Sequence, residues 1–424
     1  MAKGPADRAN PLGFLRIGSL ASFICLLWSA AALSLEPGKL GNVDVFGVAP
    51  GSVVELERCF GAAAREYVAA ASTPGQGARA RELQAKLEQQ IKQAGGFEAV
   101  EVTAVHYSAP DIPSNLTFNI TLTGKKPVEY LPEPANDVPD PDGLLASWRE
   151  YEMIGSALDY NGQIAESPPC PAHHCLYGFD HPKLRPYGDK FAQKVPADRA
   201  ELIKVLRTDK DAKKRASAAY LLAHLPDARD VLETLLPQLR DPSANVRNSV
   251  MRVVALMAEH GEARSISLEP ILPFLASPVL TDRNKAVSIV AALAGDKRNR
   301  KLLIHRSGCD LVRLTELKQT NQTEFARGAL VKLRGADLKP ASPAAWRKWL
   351  KAQGVTCRAE PEIGPGKLCP LKPPVAPPAS QQAGYPASLR VATPANAVLR
   401  LRWIEVFFGS SSTGPKEPAA SRRR

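Results

Sequence analysis

The densest concentration of reactive side chains in this sequence is SPPCPAHHCLYGFDHP (167–182), which places Cys170, His173, His174, Cys175, Asp180 and His181 within a dozen residues. Thiolate and imidazole are the ligands zinc prefers in tetrahedral sites, so the residue types fit a metal centre. The spacing fits less well. Cys-x4-Cys is longer than the usual zinc-knuckle pair, no Cys-x2-Cys follows it, and there is no Cys-x-x-Cys-His to attach a haem. In an oxidising compartment, a Cys170–Cys175 disulfide closing a proline-rich turn is the plainer account. Zinc held by Cys170, His173, His174, Cys175 and His181 is the weaker alternative, and a metal-dependent enzyme goes with it. Elsewhere the chain has no Gly-x-Ser-x-Gly, no phosphate-binding glycine loop and no His-Glu-x-x-His. Glu150, Glu152 and Asp159 sit at spacings of a solvated helix face. The expectation is a non-enzymatic protein without a cofactor.

Whether those cysteines are oxidised depends on compartment. Lys3, Arg8 and Arg16 precede an apolar run, Ile17–Leu35, that contains Ala30-Ala31-Ala32, so residues 1–35 read as an export signal or, uncleaved, as a membrane anchor. Cys25 lies in this run without the small residue before it that lipidation requires. Six cysteines follow: Cys59, Cys170, Cys175, Cys309, Cys357 and Cys369. An even number in an exported chain favours disulfides, with Cys170–Cys175 and Cys357–Cys369 as the local pairs. Cys59 and Cys309, on apolar-patterned helices, can equally be buried thiols.

The elements that position this turn are repetitive. VLETLLPQLRDPSANVRNSVMRVVALMAEH (231–260) is followed by a drifted copy, LEPILPFLASPVLTDRNKAVSIVAALAGD (268–296). In the first, Val246, Val250, Val253, Val254 and Met257 make one helical face, and Leu232, Leu235, Leu236 and Leu239 make another. Pro237 and Pro273 sit at equivalent points and predict bent first helices. Arg215, Arg247, Arg283 and Arg327 open the second helices at separations of 32, 36 and 44 residues. A helix pair of this length cannot bury its apolar stripe alone, so the copies must stack.

LLPQLRDPSANVRNSV (235–250) resembles the HEAT repeat family, which implies an all-α solenoid over 196–352, capped by the helix around Trp346 and Trp349. The resemblance also implies a ladder between neighbouring repeats, formed by Asp241 with Arg215, Arg247, Arg283 and Arg327. HEAT arrays serve many unrelated partners, so the fold does not name a function.

Ahead of the array, residues 41–124 read as β-α-α-β-β. NVDVFGV is a strand, and Ser52 to Glu55 form a capping box opening a helix to about Ala71. A second helix, 78–94, ends at Gly95-Gly96, and two strands follow. Leu116, Phe118, Ile120 and Leu122 alternate with Thr117, Asn119 and Thr121, giving one apolar and one polar face. The order, with G-V-A-P-G before the first helix and G-G-F after the second, resembles a POTRA domain; such domains bind other chains, often by adding a strand at a sheet edge. The chain is therefore expected to be multidomain. A small α+β unit is joined through a proline-rich linker (125–142) to a helical lead-in (143–195) and the solenoid. Residues 353–424 carry a cysteine pair, a proline-rich stretch, a strand-like run at 398–408 and a basic tail.

The formal charge is +12, and the repeat region holds roughly ten more Lys and Arg than Asp and Glu. Export removes the chain from nucleic acid, and aromatic residues that could stack bases are scarce in the array. An envelope protein or an acidic or anionic surface is the better partner. Lys210, Lys213, Lys214, Lys297, Arg298, Arg300 and Lys301 are expected to line up as one positive stripe at the turns of the solenoid. Membrane contact through an uncleaved N-terminal segment is the further option.

Overall fold

The computed structural model describes residues 40–369, apart from residues 74, 106–113, 125–127, 166–167 and 339–341. The export segment, the basic tail and the strand-like run at 398–408 lie outside the described residues. Among them are twelve α-helices and one three-stranded mixed sheet, and all belong to one compact unit.

The chain opens with β1 (Leu40–Phe46), α1 (Val53–Ser72), α2 (Gly77–Gly95), β2 (Ala99–Val105) and β3 (Ser114–Thr121). The sheet order is β1-β3-β2, with β1 parallel and β2 antiparallel to the central β3. Both helices cover one face, where Leu56, Val68, Leu87 and Ile91 meet Val102, Leu116, Phe118 and Ile120. Gly47 has φ +96°, and a side chain there would collide with the Ile120 carbonyl, so the turn after β1 demands glycine.

The other face is polar as its alternation predicts, but it is not solvated. Asn115, Thr117 and Asn119 are all buried. Asp44 and Phe46 of β1 and Glu101 and Thr103 of β2 are in register with them on that face, and the face rests on the helical array.

After α3 (Leu144–Tyr160) the array runs through α4 (Arg185–Ala197), α5 (Arg199–Thr208), α6 (Ala212–Leu222), α7 (Ala228–Leu235), α8 (Ala244–Glu259), α9 (Leu280–Leu293), α10 (Lys297–Leu314), α11 (Thr320–Arg334) and α12 (Pro343–Ala352). The second helices α6, α8, α9 and α11 pack in succession. Val246, Val250, Val253, Val254 and Met257 are fully buried, and Trp346 seals the far end. Pro237 and Pro273 do more than bend a helix. At Pro237 the helix Ala228–Leu235 gives way to a 3-10 helix, Leu236–Arg240, because proline has no N–H to continue the α pattern. At Pro273 the expected bent α-helix does not form, and the 3-10 helix Leu272–Ala276 stands alone before α9.

Two segments expected to be loose are docked. The proline-rich connector lies against the array: the Leu131 N–H donates to the Arg240 carbonyl (2.7 Å), the Asn136 N–H to Thr208 (3.1 Å), and the Lys210 N–H to Asn136 (2.7 Å). Val138 is buried. Proline limits this stretch to an extended path, and that path matches the open carbonyls and amides at the helix ends.

Residues 353–369 return from the array to the α+β unit. There the Ala49 N–H donates to the Pro361 carbonyl (2.8 Å), and Ser52 Oγ accepts from the Ile363 N–H (2.8 Å). Ser52 and Glu55 therefore do not form a capping box. Glu55 takes Arg58 and the Leu368 N–H instead, and Arg58 holds its carboxyl down at about 2.

The cysteine pairing follows from this return. Cys59 bonds Cys369 and Cys309 bonds Cys357, across separations of 310 and 48 residues. The expected local pair Cys357–Cys369 does not form, because the stretch between them is extended from one body to the other and each cysteine meets a different helix. Cys59 and Cys309 are accordingly not free thiols.

Candidate functional site

Cys170 and Cys175 are joined by a disulfide with their Cα atoms 5.4 Å apart, and the imidazoles around them point to separate partners. The His173 ring places Nδ1 2.7 Å from Glu262 Oε2, while its backbone N–H donates to the Ala223 carbonyl (3.0 Å). His174 is buried with its ring 5.2 Å from Tyr220. His181 Nδ1 accepts from the Lys183 N–H at 3.2 Å. With both sulfurs bonded and the rings dispersed, these five residues do not fit a zinc site. Among the described residues, one group of potential ligands converges, Glu55 with Cys59 and Cys369, and its sulfurs are likewise in a disulfide.

Burial, reinforced by the charges of Arg252, His224, Lys285 and His260, pushes His174 down to about 3. His224, which sequence reading passed over, sits against Phe179 and Phe191 and falls to about 4 through burial. Both rings are neutral at physiological pH and pack as core.

The most organised polar constellation is the arginine ladder. Arg215, Arg247 and Arg283 are each almost wholly buried, and each makes the same local contact. One Nη donates to the carbonyl six residues earlier: Arg215 to Asp209 (2.7 Å), Arg247 to Asp241 (2.9 Å) and Arg283 to Ser277 (2.7 Å). That bond closes the turn before the helix and leaves the rest of the guanidinium to reach the next repeat. Arg215 forms a bidentate pair with Asp241 (2.8 and 2.9 Å), and Arg247 binds Asp282 (2.9 Å). At the third rung Arg283 meets Gln322 (3.0 Å) rather than a carboxylate.

Asp282 and Gln322 were missed because neither occupies the turn position of Asp241. Ser277 does, and it hands its hydroxyl to Asp282 (3.0 Å). Arg327 is no rung; it pairs with Asp337 on the surface.

Each rung is covered by the N-terminal half of the chain. Asn136 bridges to Asp209, whose carboxylate accepts the Val138 N–H (2.8 Å). The Tyr130 ring lies 4.2 Å from the Arg247 guanidinium, and Phe46 lies 3.8 Å from that of Arg283. Arg283 also donates to Asn119 Oδ1 (2.6 Å), and Asp44 accepts the Lys318 and Gln319 N–H groups (2.8 and 3.0 Å). The ladder thus serves as the seat of the α+β unit and its connector.

The seven basic residues do not form one stripe. Arg283 near the start of α9 meets Gln322 near the start of α11, and Lys332 near the end of α11 meets the Ala291 carbonyl near the end of α9, so these two helices run parallel. Arg300 at the start of α10 reaches the Leu333 carbonyl at the end of α11, so α10 runs the other way. Lys297, Arg298, Arg300 and Lys301 therefore begin at the edge opposite the ladder, while Lys210, Lys213 and Lys214 begin at it.

Several of the seven are also committed internally. Lys210 and Lys214 pair with Asp137 (3.1 and 3.0 Å) and hold its carboxyl below the usual range. Arg298 folds onto Asp296 and lowers it to about 2. Lys213, Lys297 and Lys301 stand exposed.

The outer edge of β2 is partly closed as well. Glu88 of α2 accepts the Val102 N–H (2.9 Å), and Gln84 donates to the Val102 carbonyl (3.0 Å). A strand adding there would have to displace both side chains.

No protein-family model matches the sequence, and no curated protein matches it. Among solved structures, it is similar to a designed armadillo repeat protein, 16% identical, with a TM-score of 0.31; the match covers 51% of this chain and 88% of that chain. The described residues form a mostly helical, repeat-like array carrying a small mixed sheet, and the three disulfides among them fit a non-reducing compartment. Among the described residues, no helix is long and apolar enough to cross a membrane.

Proposed function

We propose that this protein is a non-enzymatic scaffold, exported to the bacterial cell envelope, in which a HEAT-type solenoid and a POTRA-like unit present a fixed arrangement of surfaces to an envelope protein or anionic partner. The observation that carries this reading is the clasp between the two parts. Buried arginine rungs, a docked connector and a disulfide-anchored return segment hold them in one orientation. A chain with independent binding modules would leave its linkers solvated; fastening them fixes the distance between surfaces, which is what a scaffold requires.

The charge available to an anionic partner is narrower than composition implies, since Lys210, Lys214, Arg298 and Arg300 are engaged internally. Lys297 and Lys301 carry it at the edge away from the ladder, and Lys213 carries it at the ladder edge. Co-sedimentation with anionic vesicles tests this. Binding should weaken as salt rises and fall further in Lys297→Glu/Lys301→Glu. Equal binding by that variant rules out the edge away from the ladder as the anionic-binding surface. A reporter active only after export, fused behind residue 369, tests location independently; a cytoplasmic reporter would contradict it.

A further inference from the structure

The polar face of the sheet meets the array through groups that are not matched charge for charge. Arg283 spends its donors on neutral acceptors: Asn119 (2.6 Å), Gln322 (3.0 Å) and the Ser277 and Pro278 carbonyls. Asp282 beside it is taken by Arg247, Arg313 by Glu360, and Asp44 by two backbone N–H groups and Asn115. Glu101 lies directly opposite Asn119 in the β2–β3 register, on the same face. Among the described residues its carboxylate accepts from Thr103 Oγ1 at 3.4 Å and has no ion pair. Glu101 is half-buried at the seam, and a carboxylate that loses part of its hydration without gaining a bonded cation is costlier in its ionised form than when protonated.

We propose that Glu101 is a proton-binding site that sets how firmly the α+β unit is held on the array, the seam being tighter with the carboxyl protonated. The charged and titratable groups that act on it are Tyr67 on α1, Glu88 on α2, Tyr130 in the connector, and Asp282 and Arg283 on α9. Asp44 on β1 and Arg313 on α10 act in turn on Arg283, and Arg247 on α8 binds Asp282. Burial pushes Glu101 up to about 7; Arg283 opposes the rise, while Glu88 and Asp282 add to it. A raised carboxyl binds a proton in the folded state that the unfolded chain releases near the ordinary glutamate value. The stabilisation is therefore complete below that value and is lost as pH rises through about 7. Between pH 6 and pH 8 the folding constant should fall by about tenfold at most, because the side chain keeps some accessibility.

The test compares urea unfolding of the full chain, wild type and Glu101→Gln, at pH 6 and pH 8. Exchange of the Lys318 and Gln319 amides, corrected for intrinsic rates, reports on the seam itself. Wild type should lose stability and seam protection at pH 8. Glu101→Gln, which mimics the protonated form, should lose that component and match or exceed wild type at pH 8. The same pH dependence in both proteins overturns the proposal. Carbon NMR of the Glu101 carboxyl in wild type decides the matter even if the variant misfolds: titration near 7 supports it, and titration in the ordinary glutamate range overturns it.

Discussion

Arg247 shows how much one side chain holds in this fold. It closes its own turn, pairs with Asp282 in the next repeat and carries the Tyr130 ring of the connector. Arg247→Ala leaves Asp282 buried and unpaired, and should cost about 3–5 kcal/mol in urea unfolding. Arg327→Ala, on an exposed pair, should stay within about 0.5 kcal/mol.

Three of the four expected rungs were legible because the arginine recurs in phase with the apolar stripe. The fourth was not, since the repeat drifts and the equivalent partner is Gln322 rather than another arginine. His224 gave no signal in sequence, yet it has an acid-side consequence. Burial holds it at about 4, below the ordinary histidine value of 6.5, so its stabilisation is complete above that range and is lost as pH falls. His224→Leu should remove about 2 kcal/mol of destabilisation between pH 6.5 and pH 5, measured against wild type across that interval; an unchanged acid limb would place the proton elsewhere.

At the scale of elements, periodicity identified helices well and docked segments badly. Val250 falls on the predicted face and is fully buried. Val250→Asp should destabilise the array by several kcal/mol and spread damage to neighbouring repeats, seen as a lower and broader thermal melt. The connector and the return segment carry no helix or strand period, and proline enrichment reads as solvation. What seats them is a row of helix-end carbonyls and amides that exists only once the array is folded. Tyr130→Ala should therefore free the connector, exposing residues 128–138 to limited proteolysis while leaving the helical signal intact. Equal resistance in the variant would mean that the ring on Arg247 contributes little to the seat. The polar face of β3 is similar: alternation correctly separated Asn119 from Phe118, but it could not say that another part of the chain covers the polar side.

For the whole molecule, the decisive contacts join residues far apart in sequence, and cysteine spacing alone favoured the wrong partners for Cys357 and Cys369. Closing a loop the size of Cys309–Cys357 is worth about 4 kcal/mol by chain entropy, so the return segment contributes to stability as well as to orientation. The account rests on that segment crossing from the array to the α+β unit. The most direct test is peptide mapping of the unreduced protein by mass spectrometry after free thiols have been blocked. The structure requires peptides linking Cys59 to Cys369, Cys309 to Cys357 and Cys170 to Cys175. A Cys357–Cys369 peptide with Cys59 and Cys309 recovered as blocked thiols would contradict it.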